Sequence, residues 1–138
     1  MRHDALLPKK LKPKKINSLF RIGKDNDGGY LVDRRNIQSS DVLVGLGLST
    51  DWSFEESFYK IKPIPIIAID GTVSGNIFFR NFLKSLLRIH RPKNILWWLK
   101  KCIDYRMFFR SDRRHIRKMV GMDFAPKNEV SLARLIRD

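Results

Sequence analysis

Two apolar runs with a helical stretch between them organise the first half of the chain. Residues 41–47 (DVLVGLG) are apolar at nearly every position, as in a strand buried on both faces of a parallel sheet. Helical spacing follows over residues 53–60, where two phenylalanines share one face, until Pro63 stops the helix. Residues 64–69 predict a second buried strand. The order strand, turn, helix, strand is that of a βαβ unit.

The segment before this unit predicts a β-hairpin over residues 18–33. Its arms, LFRIG and YLVD, flank KDNDGG, whose Asn, Asp and Gly residues tolerate the positive φ of tight turns. The lysines and prolines of residues 1–15 repel one another and break helices, which predicts a flexible basic lead-in. With 138 residues, 43% of them hydrophobic, the remainder, residues 16–138, is expected to form one domain.

The second half of the chain is mainly helical in pattern. FFRNFLKSLLR predicts an amphipathic helix ended by Pro92, and NILWWLKKCIDYRMFF predicts another. The expected core stripe of the second helix is Ile95, Leu96, Leu99, Cys102 and Ile103. Two helices are long for one crossover, so residues 76–112 are predicted to be an insertion between the second and third strands.

The chain closes with a predicted third strand over residues 115–123 and a helix over residues 130–137, capped by Ser131 or Asn128. The predicted fold class is therefore α/β: strands one to three of a partial Rossmann-like parallel sheet, with an N-terminal hairpin and a helical insertion. A fourth strand is missing, which would leave one flank of the first strand unpaired. We expect a fragment of a longer enzyme rather than a degenerate stand-alone product.

The positive charge of the chain indicates which classes of partner it could bind. The formal net charge is +14, and residues 76–118 carry thirteen Arg or Lys against two acids, so polyanions are attracted. The basic helical pair suits either a lid packed on the sheet, the favoured interpretation, or a peripheral contact with anionic membrane or a phosphorylated acceptor. Nucleic acid is disfavoured. No segment resembles a signal peptide or a membrane span, which favours a cytoplasmic protein, with membrane-peripheral attachment as the alternative.

Few residues are candidates for a nucleophile, a general base or a metal ligand. Cys102, the single cysteine, lies in an apolar stretch and is expected to be a buried hydrophobe rather than a nucleophile. His115 lies among basic residues, which disfavours a metal or general-base role. No metal site is predicted.

The best candidate site is the glycine turn after the first strand. Gly45 and Gly47 remove side chains that would block a nucleoside, and Asp70, at the tip of the second strand, is placed to accept hydrogen bonds from two ribose hydroxyls. Thr50 stands where the dinucleotide fingerprint has its last glycine, and no P-loop lysine follows. A ligand with ribose but no phosphates, such as S-adenosylmethionine, is favoured over NAD or FAD. The alternative is a plain strand-to-helix turn with a turn-forming Asp.

The helix after the turn has two candidate caps. Ser53 with Glu56 forms an S-x-x-E capping box, while Asp51 offers a carboxylate near the positive end of the helix dipole. Both alternatives start the helix close to the glycine turn.

RIGKDNDGGYLV, VGLGLSTDWSFEESF and IAIDGT together resemble the opening of FkbM-type, S-adenosylmethionine-dependent methyltransferases. The resemblance covers about residues 21–72. It implies a cofactor site formed by Gly45, Gly47, Ser49, Asp51 and Asp70, with Ser53 and Glu55 in the same block and residues 27–29 near the cofactor mouth. Alternatives are a plain hairpin for residues 27–29 and a solvated helix face for Glu55 and Glu56, the latter preferred for Glu56. Leu43 stands where many methyltransferases place an acid.

The resemblance also implies the reaction. The expected activity is methyl transfer to an oxygen of a sugar or polysaccharide-type acceptor, and no residue is nominated as catalytic. The alternative from another class is a basic, non-catalytic module that binds anionic membrane or nucleic acid. A nucleotide-sugar enzyme using the same turn is a weaker third hypothesis.

Overall fold

The computed structural model describes residues 16–25, 28–88, 90–121 and 129–131. It shows a mixed α/β structure with a parallel three-stranded sheet and an antiparallel hairpin. In chain order, the elements are β1 Leu19–Ile22, β2 Tyr30–Asp33, α1 Arg34–Ser39, β3 Leu43–Leu46, α2 Ser53–Ile61, β4 Ile66–Ile69, α3 Gly75–Leu86, α4 Pro92–Phe108, β5 Arg113–Ile116, β6 Met119–Gly121 and β7 Glu129–Ser131. The predicted lead-in, residues 1–15, lies outside the described residues.

The predicted hairpin is confirmed. β1 and β2 pair antiparallel, with Leu19 opposite Asp33 and Ile22 opposite Tyr30. The helix α1 that follows directly was not predicted. Asp33 caps it, because its side chain accepts a hydrogen bond from the backbone N–H of Arg35. The pKa of Asp33 lies well below its ordinary value, chiefly because of the hydrogen bond from the Arg35 side chain.

The predicted βαβ unit is also confirmed. β3 and β4 are parallel neighbours, with Leu43 opposite Ile66 and Leu46 opposite Ile69, and α2 connects them. The sheet order is β3-β4-β5, so β4 is the central strand. β4 is accordingly the most buried strand, and the side chains of Ile66 and Ala68 are fully buried.

β3 is buried on one face only, which corrects the expectation of a strand covered on both. Leu43 is half-buried against the core, whereas Val42, Val44 and Leu46 are exposed on the opposite face. The flank of β3 away from β4 has no paired strand among the described residues.

The end of the described chain departs from prediction. The third strand of the sheet is β5, which pairs parallel with β4. It starts two residues before the predicted range 115–123 and contains only His115 and Ile116 of that range. β6 leaves this sheet and pairs parallel with β7. Since Val130 and Ser131 belong to β7, the predicted helix over residues 130–137 is wrong at its start, and its remainder lies outside the described residues.

Two helices, α3 and α4, connect β4 to β5, as predicted for the insertion. Pro92 is the first residue of α4 and not the stop of α3, which ends at Leu86. This position suits proline because the first helical N–H needs no partner within the helix. Within the described part of the chain, no helix is both long and apolar enough to cross a bilayer.

The core forms two clusters. The larger joins the sheet to α3 and α4 and contains Leu48, Trp52, Ile66, Ala68, Val73, Phe78 and Phe108. The smaller joins the hairpin, α1 and α2 and contains Ile22, Ile37, Phe58 and Ile64. Aromatic rings dominate the larger cluster: Phe78 contacts Trp52 and Tyr105 at centroid distances of 5.9 and 5.3 Å.

The expected core stripe of α4 is wrong in most of its members. Trp98, Cys102 and Tyr105 pack against the larger cluster. Leu96, Leu99 and Ile103, predicted to be buried, are exposed. Of the residues predicted for this stripe, only Cys102 packs against the larger cluster. Burial raises the pKa of its thiol, as expected for a non-nucleophilic cysteine.

Candidate functional site

The turn after β3 is tightly bent. Gly47 and Ser49 both have left-handed backbone, with φ of 77° and 48°. Glycine adopts this conformation without steric cost, whereas serine pays a strain cost there. A Cβ on Gly47 would meet no atom within 4 Å, so the space beside this residue is open. The turn therefore leaves its backbone accessible at the carboxyl end of β3.

Asp70 lies at the carboxyl end of β4 and bonds directly to this turn. Its Oδ2 accepts a hydrogen bond of 2.6 Å from the Ser49 N–H. Its Oδ1 accepts from the N–H of Thr72 at 2.6 Å and from its hydroxyl at 2.5 Å. A carboxylate has about four acceptor positions, so about one remains, on Oδ2. Two ribose hydroxyls would need two acceptor positions, so the carboxylate has room for only one of the two predicted bonds.

These bonds keep Asp70 ionised although its side chain is nearly buried. Burial alone would raise the pKa of the carboxyl, but the hydrogen bonds from Thr72 and Ser49 outweigh it, and the pKa lies below its ordinary value. The hydrogen bond from the Ser49 N–H to the Asp70 carboxylate offsets the strain of the left-handed φ at Ser49, because a hydrogen bond to a charged group is strong.

Asp51 and Ser53 form a second group, which ties the hairpin to α2. Asp51 accepts a hydrogen bond from the Ser53 N–H at 3.0 Å and one from Lys24 Nζ at 2.8 Å. The Ser53 hydroxyl accepts from the Lys24 N–H and donates to the Gly28 carbonyl, at 3.3 and 3.4 Å. A Cβ on Gly28, whose φ is 93°, would lie 3.0 Å from the Asp51 carboxylate. The left-handed φ favours glycine at this position, and the tight approach to Asp51 adds to that preference.

Of the two predicted caps, Asp51 is the one that bonds to the start of α2. The helix begins at Ser53, whose N–H bonds to Asp51, and Trp52 at the N-cap position contributes no side-chain bond. Glu56 pairs with Lys60 instead, at 2.8 Å, so the S-x-x-E capping box is not formed. The carboxylate of Asp51 lies near the positive end of the helix dipole, which favours its charge.

Glu55 is buried against the turn, so the solvated-face alternative is wrong for it and right for Glu56. A Cβ on Gly45 would lie 2.5 Å from Glu55 Oε1, so a larger residue at this position would have to displace the end of the Glu55 side chain. Burial raises the pKa of Glu55, and the charge of Asp51 raises it further. Spacing alone did not identify this residue, although Phe54 and Phe58, four residues apart on α2, indicate an inward face next to it.

Glu55 should make stability depend on pH. Its folded pKa lies above the ordinary glutamate value of about 4.3, so folding is disfavoured when pH rises through the folded pKa and the buried carboxyl must ionise. Below pH ~4 this penalty is absent. In Glu55→Gln, the urea midpoint should no longer show this part of the decline above pH ~4. Glu56→Gln, which changes the half-exposed neighbour, is the matched control. A constant difference between wild type and Glu55→Gln across this range would contradict the burial.

His115 lies beneath Asp70. Its Nε2 is 3.1 Å from the Asp70 carbonyl oxygen, and its Nδ1 is 2.5 Å from the Tyr105 hydroxyl. Because a carbonyl only accepts, Nε2 carries the proton and Nδ1 accepts from Tyr105. Burial lowers the pKa of His115, which agrees with a neutral ring. No sequence pattern indicates this contact, since the pairing of β5 with β4 creates it.

A cavity of about 290 Å³ adjoins the Asp51 group. Its lining is mostly charged and comprises Lys24, Asp51, Trp52, Ser53, Glu56, Trp97, Lys100, Lys101 and Asp104. Lys101 Nζ donates to the Thr50 carbonyl at 2.5 Å and lies 4.5 Å from the centre of the Trp52 ring. Burial lowers the pKa of this lysine, and the charge of Lys24 adds to the effect. The cavity thus lies between the start of α2 and α4.

The structure therefore places the predicted site residues in two groups. Ser49 and Asp70 bond to each other beside Gly47, and Asp51 bonds to Ser53 and Lys24. Among the described residues, no cluster of three or more His, Cys, Asp or Glu is arranged to hold a metal ion.

Comparison of the chain with models of protein families, with curated proteins and with solved structures gives no match. The resemblance to FkbM-type methyltransferases accordingly rests on the three sequence blocks alone, and the case for function rests on the geometry of the turn.

Proposed function

We propose that the chain is the S-adenosylmethionine-binding half of a methyltransferase of the FkbM type, with β3, β4 and β5 as part of a Rossmann-like sheet. The observation that carries this proposal is the bond between Asp70 and Ser49. It joins an acid at the end of one strand to the backbone of the glycine turn after its parallel neighbour. In open α/β sheets, ligands bind at the carboxyl ends of adjacent strands, and an acid at this position suits a ribose.

The residues fit such a ligand in two respects. The Gly47 side of the turn is open, so a nucleoside can approach the backbone there. Asp70 is ionised and keeps about one acceptor position on Oδ2, enough for one ribose hydroxyl. Gly45 supports the site indirectly, through its contact with Glu55, and Asp51 does so by holding the hairpin against α2.

The chemistry that S-adenosylmethionine supplies when bound is an electrophilic methyl carbon on a sulfonium. The acceptor implied by the resemblance is an oxygen of a saccharide, which gains the methyl group and loses a proton. Such a displacement needs the two reactants held in line, and the described residues contribute to this by fixing the ribose end. We nominate none of them as the base that takes the proton.

Binding should depend on the ribose hydroxyls. We expect S-adenosylhomocysteine to bind the folded chain in calorimetry, and its 2′,3′-dideoxy analogue to bind about tenfold or more weakly, since a hydrogen bond to a charged group contributes about 1.5–3 kcal/mol. Changing the ligand leaves the fold intact. In Asp70→Asn, the difference in affinity between the two ligands should shrink, because the charged acceptor is replaced by a neutral amide.

Uridine nucleotides are the control for a nucleotide-sugar enzyme, and moderate salt is the control for polyanion binding. A neutral-ribose ligand should keep its affinity in salt, whereas a polyanion loses it steeply. If S-adenosylhomocysteine and its 2′,3′-dideoxy analogue bind the wild-type chain with equal affinity, Asp70 does not bind the ribose. Absence of binding by a chain shown to be folded would end the proposal.

A further inference from the structure

Helix α4 is apolar on two opposite sides. One side, with Trp98, Cys102 and Tyr105, packs on the core. The other carries four exposed apolar side chains spaced three or four residues apart: Leu96, Leu99, Ile103 and Met107. Residues at this spacing share one face of a helix. An ordinary surface helix has charged residues in these positions, so this second stripe calls for an explanation.

Helix α3 continues the same surface. Phe79, Leu83 and Leu86 are exposed on it, next to the buried side that contains Phe78. A groove of about 170 Å³ runs between the two helices, and Phe79, Phe82, Leu99 and Ile103 line it with Cys102 and Arg106. Because side chains from both stripes line one groove, the two stripes form a continuous apolar face, which we name the α3–α4 face.

The α3–α4 face is framed by positive charge. Residues 75–108 contain eight Lys or Arg and one acid, Asp104, which pairs with Lys100 at 2.6 Å. On α3, Arg80 and Lys84 are exposed beside the apolar stripe, and on α4 Arg106 lines the groove itself. Long basic side chains around an apolar face are typical of helices that lie in the interface of an anionic bilayer.

We propose that the α3–α4 face docks on the surface of an anionic phospholipid bilayer. Its leucine, isoleucine and phenylalanine side chains enter the boundary between headgroups and acyl chains, and the surrounding lysines and arginines bind lipid phosphates. This contact is independent of the cofactor proposal, since none of these side chains belongs to the Asp70 group.

Charge selects this partner over the others. A second copy would bring two faces of the same strong positive charge together, which is unfavourable. The chain's own N-terminal 15 residues carry six basic side chains and one acid, so they do not complement the face either. Nucleic acid would engage the charges but would leave the aliphatic stripe exposed.

Flotation with lipid vesicles tests the proposal on the full chain. We expect co-flotation with phosphatidylcholine vesicles that contain phosphatidylserine, and little with phosphatidylcholine alone. Leu83→Ser combined with Ile103→Ser should lower partitioning about tenfold or more, because exposed apolar side chains lose their burial in lipid. Arg80→Gln combined with Lys84→Gln should lower it by a similar factor through lost attraction to the anionic surface.

The matched control is Leu31→Ser combined with Val42→Ser, which removes two exposed apolar side chains outside the α3–α4 face and should leave partitioning unchanged. Circular dichroism confirms that each variant is folded. Unchanged flotation of Leu83→Ser/Ile103→Ser would show attraction by charge alone and overturn the proposal. Equal loss in the control pair would do the same. If the wild-type chain self-associates in sedimentation velocity and Leu83→Ser/Ile103→Ser abolishes this association, a second copy covers the α3–α4 face. That result would also overturn the bilayer proposal.

Discussion

Replacing Phe78 by alanine is expected to lower the free energy of unfolding by about 3–5 kcal/mol. The side chain is fully buried between the sheet and α4, and its ring contacts those of Trp52, Trp98 and Tyr105. Truncation removes these contacts and leaves a cavity that the three remaining large rings cannot easily close. For a domain of this size, such a loss is a large part of the total stability. Urea denaturation followed by circular dichroism gives the difference between variant and wild type.

Phe79→Ala is the matched control for this prediction. The same chemical change is made one position along α3, where the side chain is about half exposed. A small part of the Phe78 effect is expected there, because little burial is lost. Similar losses at both positions would contradict the packing of α3 against the core, and a larger loss at Phe79 would place the Phe79 side of α3 inward.

The second large effect is expected at Asp70, where alanine should cost about 2–4 kcal/mol of stability through unsatisfied donors. The substitution leaves the N–H groups of Ser49 and Thr72 without their acceptor in a part-buried site. Because the folded pKa of Asp70 is lowered, its contribution is fully present above the ordinary aspartate value of about 4 and is lost as pH falls through the folded pKa. Urea midpoints of wild type and Asp70→Ala should therefore converge at acidic pH.

Asp41→Ala, which removes an exposed carboxylate just before β3, should change stability by about 0.5 kcal/mol or less. Asp70→Asn keeps one acceptor oxygen and should lie between wild type and Asp70→Ala. Equal stability of the Asp41 and Asp70 variants would mean that the turn does not depend on this carboxylate. The result would leave the dideoxy-ligand comparison as the separate test of binding, since that comparison uses the wild-type chain.

The βαβ unit could be predicted from the sequence because its signals are local. Apolar runs, a glycine turn, a helical period and Pro63 define β3, α2 and β4 within 30 residues. The acid at the tip of β4 and its nearness to the turn follow from the parallel pairing of neighbouring strands. The Asp70 group was therefore accessible to sequence reasoning, apart from the bonds from Thr72 that occupy Oδ1.

The strand β5 was misplaced because its residues are mostly charged. Arg113 lies in the sheet with its guanidinium 4.3 Å from the centre of the Tyr59 ring and 5.0 Å from that of Phe108. Stacking on aromatic faces lets a charged side chain occupy a strand position that an apolar pattern would not indicate. Tyr59 and Phe108 come from α2 and α4, so only the folded arrangement supplies these partners.

The orientation of α4 illustrates the same limit. Two apolar stripes lie on opposite sides of this helix, and periodicity identifies both without deciding which one faces the sheet. The aromatic side with Trp98 and Tyr105 became the core because Trp52 and Phe78 offer rings that pack with them. The exposed leucine stripe is what remains, and it carries the bilayer proposal.

By itself, the sequence determined the local elements, the strong positive charge and the pairing of a glycine turn with an acid at the next strand end. The tertiary structure decided which carboxyl is buried, which side of α4 is exposed and which strand completes the sheet. The physical reason is that hydrophobic period, turn chemistry and charge are properties of neighbouring residues. The burial of Glu55 against Gly45, or of His115 beneath Asp70, instead depends on residues that only folding brings together.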